Sequence, residues 1–285
     1  GSDSAFMWVS SGAEGYEIKP SEKESNGTQI TLYIKKDVDD ENYSTYLEDY
    51  TITRLVKKYS DYIRYPIKME ATEYSASDSD EAKPTKTVKT LNSMVPLWKK
   101  QKTEVKAEEY NEFYKSTFFD GADPIKTVHM SVEGSIDFKA LLFIPENAPY
   151  NYYSKNYEKG LKLYTNGVMI MDKCADLLPD YFSFVKGIVD SEITLNISRE
   201  AVQQTRQIKQ IASSIEKKIN KELLDLQKND REAYEKFFKA FGLQLKFGIY
   251  SSYGMNKDAL QDLLLFYSAK EDKLVTLKEY ADKTD

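Results

Sequence analysis

One histidine and one cysteine are all that 285 residues offer of the side chains that most readily bind zinc. A Cys/His zinc site cannot be assembled from them, and carboxylates alone would have to hold any metal. The same scarcity limits nucleophilic catalysis. A serine or cysteine nucleophile could use only His129 as its histidine base, and His129 sits in the alternating stretch Thr127-Val128-His129-Met130-Ser131, which reads as strand. Cys174 alone makes no internal disulfide, which suits a reducing cytoplasm. None of the twelve glycines falls into GxGxxG, GxxxxGK or GxSxG, so no dinucleotide turn, phosphate loop or nucleophile elbow is read. Apolar runs such as Ala140 to Ile144, Val168 to Met171 and Leu263 to Tyr267 fall far short of the ~20 residues a bilayer span requires, so no membrane partner is expected. The opening residues Gly1-Ser2-Asp3-Ser4 show no basic segment followed by an apolar one, and no secretion signal is read there. Positive charge is also short: 40 Lys and Arg against 46 Asp and Glu leave a net charge of -6, which argues against a nucleic-acid partner.

What is present is material for cores. The chain is 41% hydrophobic and long enough for about two domains. Ile30, Leu32 and Ile34 alternate as in a strand, and Thr45-Tyr46-Leu47-Glu48 has the form of a capping box opening a helix that Pro66 must end. From Glu70 to Thr90 there is no Leu, Ile, Phe or Met, so residues 70–90 read as a charged flexible linker. Beyond it, helix and strand alternate. Residues 104–117 read as a helix, 128–144 as a hairpin turning at Glu133-Gly134, and 161–171 as a hairpin at Asn166-Gly167 or one bulged strand. Residues 181–189 read as a short apolar helix. A long helix over 199–227 carries the stripe Ile208, Ile211, Ile215, Ile219, Leu223 and Leu226. Asp230 can cap a further helix that Gly242 would stop, residues 258–268 read as helical, and Thr276-Leu277-Lys278-Glu279 is another capping box.

Longer stretches are more specific than any of these signals. Leu141-Leu142-Phe143-Ile144-Pro145, Gly160-Leu161-Lys162-Leu163-Tyr164, Phe184-Val185-Lys186-Gly187-Ile188-Val189-Asp190-Ser191 and Leu195-Asn196-Ile197-Ser198-Arg199-Glu200 together resemble the heat shock protein 90 chaperones, in particular the bacterial HtpG type. The likeness extends to Pro96-Leu97-Trp98, to Glu108 through Lys115, and to Arg54 through Ser60 before Tyr65-Pro66-Ile67. It implies an α/β (α+β) fold: a three-layer α-β-α sandwich middle domain, a following helical segment and smaller α/β unit, and an N-terminal strand-and-helix remnant. Residues 1–69 would be the tail of an N-terminal ATP-binding domain, 70–90 the charged linker and 91–285 the middle domain, with its large α/β part over about 91–198 and the helical and small part over 199–285.

By the same resemblance, the full-length protein is an ATPase that uses ATP and Mg2+, works as a homodimer in the cytoplasm and binds unfolded or partly folded client proteins. The piece read here lacks the family's nucleotide pocket and is expected to bind no cofactor and to be inactive alone. Its partners would be clients and its own N-terminal nucleotide domain. The family's middle domain supplies one arginine to hydrolysis, and the motif places it at Arg199, with Gln203 and Asn196 as γ-phosphate or loop-supporting residues. Trp98 matches a tryptophan that the family exposes for client contact, although a tryptophan beside Pro96 and Leu97 is more often a core residue. Elementary physics agrees about Arg199. Ser198 can cap a helix, a cation at the positive end of a helix dipole is disfavoured, and a nearby anion resolves the conflict. Without the resemblance, an ion pair with Glu200 or Asp190 is the simpler reading. A passive interaction module with no part in hydrolysis is the alternative function. Two segments depart from the family pattern: Thr165-Asn166-Gly167, and the short Ser191-Glu192-Ile193-Thr194-Leu195 beside Arg199.

Overall fold

The alternation expected over 128–144 becomes two adjacent strands of a five-stranded sheet in the computed structural model, which describes residues 4–12, 15–74, 84–192 and 200–283. β5 (Lys126–Val132) and β6 (Phe138–Ile144) pair antiparallel, with Val128 opposite Leu142. β6 pairs antiparallel with β9 (Lys186–Ser191), β9 runs parallel to β7 (Leu161–Thr165), and β7 closes the order β5-β6-β9-β7-β8 by pairing with β8 (Val168–Cys174). Earlier in the chain lie β1 (Ala5–Val9), β2 (Glu17–Ser21), β3 (Lys68–Tyr74) and β4 (Pro84–Thr90), which form two separate hairpins.

A central strand sends alternate side chains to opposite faces, so β6 must be apolar on both. Leu141 and Phe143 point to one core with Tyr110 and Tyr114 of α2 (Ala107–Phe118). Ala140, Leu142 and Ile144 point to the other, with Ile211, Ile215 and Ile219 of α3 (Glu200–Asn229) and Phe237 and Phe241 of α4 (Arg231–Ser251). Helices on both faces of one sheet make the three-layer α-β-α arrangement that the resemblance implies. In the stripe of α3, Ile211, Ile215, Ile219 and Leu223 are fully buried and Ile208 is half-buried, and Asp230 caps α4 by accepting from the Ala233 N–H at 3.0 Å. Beyond α4 come the single turn α5 (Lys257–Leu260), the hairpin of β10 (Phe266–Ser268) with β11 (Lys273–Val275), and α6 (Leu277–Ala281). The expected box at α6 is present: the Thr276 hydroxyl accepts from the Glu279 N–H, and the Thr276 N–H donates to the Glu279 carboxylate.

Two compact units divide at Thr51. In the first, residues 30–34 form no strand, since among the described residues no strand pairs with them, and a 3-10 turn over Tyr43–Leu47 stands where the capping box was expected. Helix α1 (Asp49–Tyr59) therefore starts late, and it stops before Pro66. Residues 52–69 lie within the second unit, tied there by Asn92. The Asn92 amide oxygen accepts from the Ile67 N–H, and its NH2 group donates to the carbonyls of Ile63 and Tyr65.

Other expectations are corrected. Residues 70–74 and 84–90 are paired strands rather than flexible linker, because main-chain pairing needs no apolar side chain and Thr, Val and Tyr favour extended backbone. Residues 75–83 lie outside the described residues. The apolar run 181–189 is a 3-10 turn followed by β9, a strand buried on both faces. Gly242 does not stop α4, which continues to Ser251. It is buried inside the helix, where any Cβ would sit 2.8 Å from the Phe238 ring. Residues 258–268 are only briefly helical before β10. Of the two readings of 161–171 the hairpin is correct. Asn166 and Gly167 both take positive φ, 52° and 82°, as a two-residue turn between right-twisted strands requires.

Candidate functional site

Strand β9 enters the middle of the sheet and ends at Ser191, and α3 begins at Glu200. Arg199 and Asn196 fall between them, outside the described residues. Gln203 lies in the first turn of α3, where its backbone is described and its side chain is not. What the structure does describe is the packing that fixes the end of β9.

Asp190 is buried there, directly after the apolar Ile188 and Val189. Its carboxylate accepts from the Trp98 indole N–H at 3.0 Å and pairs with the Lys99 ammonium at 2.9 Å. A buried carboxylate needs such partners. They also engage one of the two carboxylates that the sequence offered to Arg199. Trp98 is fully buried, with Tyr62 edge-on at 4.6 Å and Tyr164 at 5.3 Å between ring centroids. The client-contact reading needs an exposed indole, and here the ring is core: its faces meet aromatic neighbours and its one donor is satisfied inside.

The cluster reaches across to the β7–β8 turn. A side chain at Gly167 would place its Cβ 2.1 Å from the Tyr62 carbonyl oxygen, so the turn and residues 62–63 touch through bare backbone. Burial, with the Asp61 charge beside it, pushes the Tyr62 hydroxyl up to about 12. Asp61 is itself buried, accepting from the Ser93 N–H and pairing with Lys57. Sequence reading missed Tyr62, Lys99 and Gly167 as parts of this assembly. The one available signal was Asp190, a charge inside the apolar run Gly187-Ile188-Val189.

The other reactive side chains are committed to structure. His129 Nε2 lies 3.1 Å from the Trp98 carbonyl, which can only accept, so Nε2 carries the proton and Nδ1 accepts from the Tyr110 hydroxyl at 2.7 Å. Burial holds its pKa below the usual imidazole value, and neither nitrogen is left for a nucleophile. Burial likewise pushes the Cys174 thiol up. Among the described residues no group of three or more His, Cys, Asp or Glu could hold a metal ion, and no helix is long and apolar enough to cross a membrane. This part of the molecule can position a loop.

A family model described as Hsp90 protein matches residues 75–285. The chain belongs to the Hsp90 family. The chaperone protein HtpG of Oceanobacillus iheyensis is 56% identical over 282 residues, which is 98% of this chain and 45% of that protein. HtpG of Bacillus subtilis is 55% identical over 289 residues, 99% of this chain and 46% of its own length. The chain thus spans about half the length of the curated Hsp90 relatives it matches. Among solved structures, the middle domain of a Plasmodium falciparum heat shock protein superposes with a TM-score of 0.58 at 30% identity, covering 67% of this chain and 75% of that one. The five-stranded sheet with helices on both faces is therefore an Hsp90 middle-domain fold, and the buried Trp98–Asp190 pair sits at the end of its central strand.

Proposed function

We propose that this chain is the middle region of an ATP-dependent chaperone, which binds unfolded or partly folded proteins and supplies Arg199 to a nucleotide held by a neighbouring N-terminal domain. The observation that carries this reading is the match to Hsp90 over residues 75–285, which includes the segment Leu195-Asn196-Ile197-Ser198-Arg199-Glu200 that leads into the 30-residue helix α3. A helix start concentrates unpaired N–H groups, and a guanidinium there adds a planar fork for phosphate oxygens. In phosphoryl transfer such an arginine stabilises charge on the terminal phosphate. The capture of Asp190 by Lys99 and Trp98 supports the reading, because it weakens the case for a purely structural ion pair. Gln203 and Asn196 would support the loop or the γ-phosphate. Among the described residues no group of three or more His, Cys, Asp or Glu could hold a metal ion, and this reading assigns ATP and Mg2+ to the nucleotide domain. The working protein would be a cytoplasmic homodimer.

Two measurements on the chain test the proposal. Calorimetry with Mg-ATP should show no binding up to millimolar concentration, and the chain should slow aggregation of a thermally unfolded model protein such as citrate synthase. ATP binding or turnover above buffer would refute the division of labour. No effect on aggregation at a several-fold excess of chain would remove client binding.

A further inference from the structure

Helix α4 buries Tyr234, Phe237, Phe241 and Leu245 as an amphipathic helix should, yet its outer face is not wholly polar. Leu243, Phe247 and Tyr250, spaced four and three residues apart, form an apolar stripe exposed at 67%, 53% and 78%. The stripe runs from a groove of about 520 Å³ between α4 and β11. Gly242 opens its floor, the Phe238 ring lines it, and Leu243 and Leu274 form its walls.

The charges around this groove do not balance. Glu232 pairs with Lys236 at 3.5 Å, and Glu235 pairs with Arg231 at 3.0 Å, so both rim carboxylates are engaged. Lys239 and Lys246 also line the groove, and among the described residues no carboxylate pairs with either. Lys246 instead lies over the Phe238 and Phe266 rings, 5.4 and 4.9 Å from their centroids, which holds its charge at the groove mouth. A cationic rim on an apolar floor is unusual in a chain of net charge -6. A nucleic acid or a bare anion would make no use of the apolar stripe, and an uncharged apolar segment would leave the two ammonium groups unanswered.

We propose that this groove binds an acidic polypeptide segment of a partner protein, its apolar side chains on Leu243, Phe247 and the Phe238 floor and its carboxylates on Lys239 and Lys246. The proposal names a partner class that the chaperone reading does not, and it stands whether or not Arg199 serves hydrolysis. Such a segment gains apolar burial and charge pairing together, so binding should be salt-sensitive.

The test uses three fluorescein-labelled 12-residue peptides in the background of the whole chain: alternating Glu and Leu, alternating Lys and Leu, and alternating Glu and Ser. Fluorescence anisotropy should show the Glu/Leu peptide bound at least ~10-fold more tightly than either control at low salt. Lys239→Glu with Lys246→Glu should reduce its affinity ~10-fold or more, and Leu243→Ser should weaken it with charge retained. Circular dichroism checks that both variants keep their fold, and the surface variant Leu243→Ser keeps the test decisive if the double reversal does not fold. Equal binding of all three peptides, or unchanged binding by the folded charge-reversed chain, overturns the proposal. So does a concentration-dependent dimer, seen by sedimentation, that Leu243→Ser abolishes, since a second copy would then be the occupant. Loss of peptide binding in the full-length protein, with the groove protected from amide exchange, would equally overturn it by showing that another part of the same protein covers the groove. None of these outcomes bears on ATP hydrolysis, so this proposal and the chaperone reading can fail separately.

Discussion

Leu32 and Leu142 come from equally apolar patterns, and one is 77% exposed while the other is fully buried. The difference runs through their units. In the first unit Phe6, Trp8, Ile18, Ile30 and Leu32 all stay exposed, because a two-stranded hairpin and an unpaired segment give them no second layer. In the second unit the same residue types sit between a sheet and helices on both faces. Apolar alternation supplies a face, and only an opposing layer turns it into stability.

Truncation should separate the units most sharply. Phe143→Ala removes a fully buried ring at the heart of the second unit and should cost about 3–5 kcal/mol, whereas Leu32→Ala should stay within ~0.5 kcal/mol in urea denaturation. Similar costs at the two sites would break the comparison.

Gly167→Ala sharpens it by testing what ties residues 60–67 to the sheet. Its positive φ and the 2.1 Å approach to the Tyr62 carbonyl leave no room for a methyl group, so about 2 kcal/mol of destabilisation is expected, with faster amide exchange over 60–67. Trp98 fluorescence, read in a Trp8→Phe background, should shift to the red as Tyr62 loosens. An unchanged spectrum and exchange pattern would mean that the turn does not hold this segment.

High pH bears on the buried Tyr62 of the second unit. Tyr62 is raised from 10 to about 12, so the unfolded chain releases its proton first. Stability from this group is complete below pH 10 and is lost as pH rises toward 12. At pH 11 the loss should be about 1.4 kcal/mol. Tyr62→Phe should reduce the loss at pH 11 by that amount, while other buried tyrosines such as Tyr114 and Tyr234, whose hydroxyls burial also pushes up, keep part of the slope. Smaller again is Asp230→Ala, which removes the cap on α4 and should cost about 1 kcal/mol in the same denaturation assay.

Much of the second unit was legible because its signals were local. The isoleucine stripe of α3, the Asp230 cap, the Thr276 box and the Asn166-Gly167 turn each need only their own neighbours. Strand β9 was misread because a central strand buried on both faces has no period, and its apolar run looks the same as a short buried helix. Gly242 misled for a related reason: a glycine that admits a neighbouring ring has the same letter as one that ends a helix. The hairpin of β3 and β4 escaped because its pairing lies in the main chain. For the site, Arg199, Gln203 and Asn196 were assigned through family likeness, whereas the Trp98, Asp190 and Tyr62 cluster depends on contacts between residues 36 and 92 positions apart, which no local pattern encodes.

The central claim is that this chain completes an ATPase whose nucleotide is held elsewhere, and ATP turnover by the full-length protein with Arg199→Ala tests it most directly. The proposal gives ground-state affinity to the other domain, so ATP binding should stay near the parental value while kcat falls at least ~10-fold. Arg199→Lys should recover only part of the rate, since an ammonium lacks the planar fork, and Gln203→Ala should be milder because it leaves the charge in place. Parental turnover by Arg199→Ala would contradict the account and favour a passive binding module. Loss of ATP affinity together with the rate would place Arg199 in nucleotide binding and contradict the proposed division between the domains.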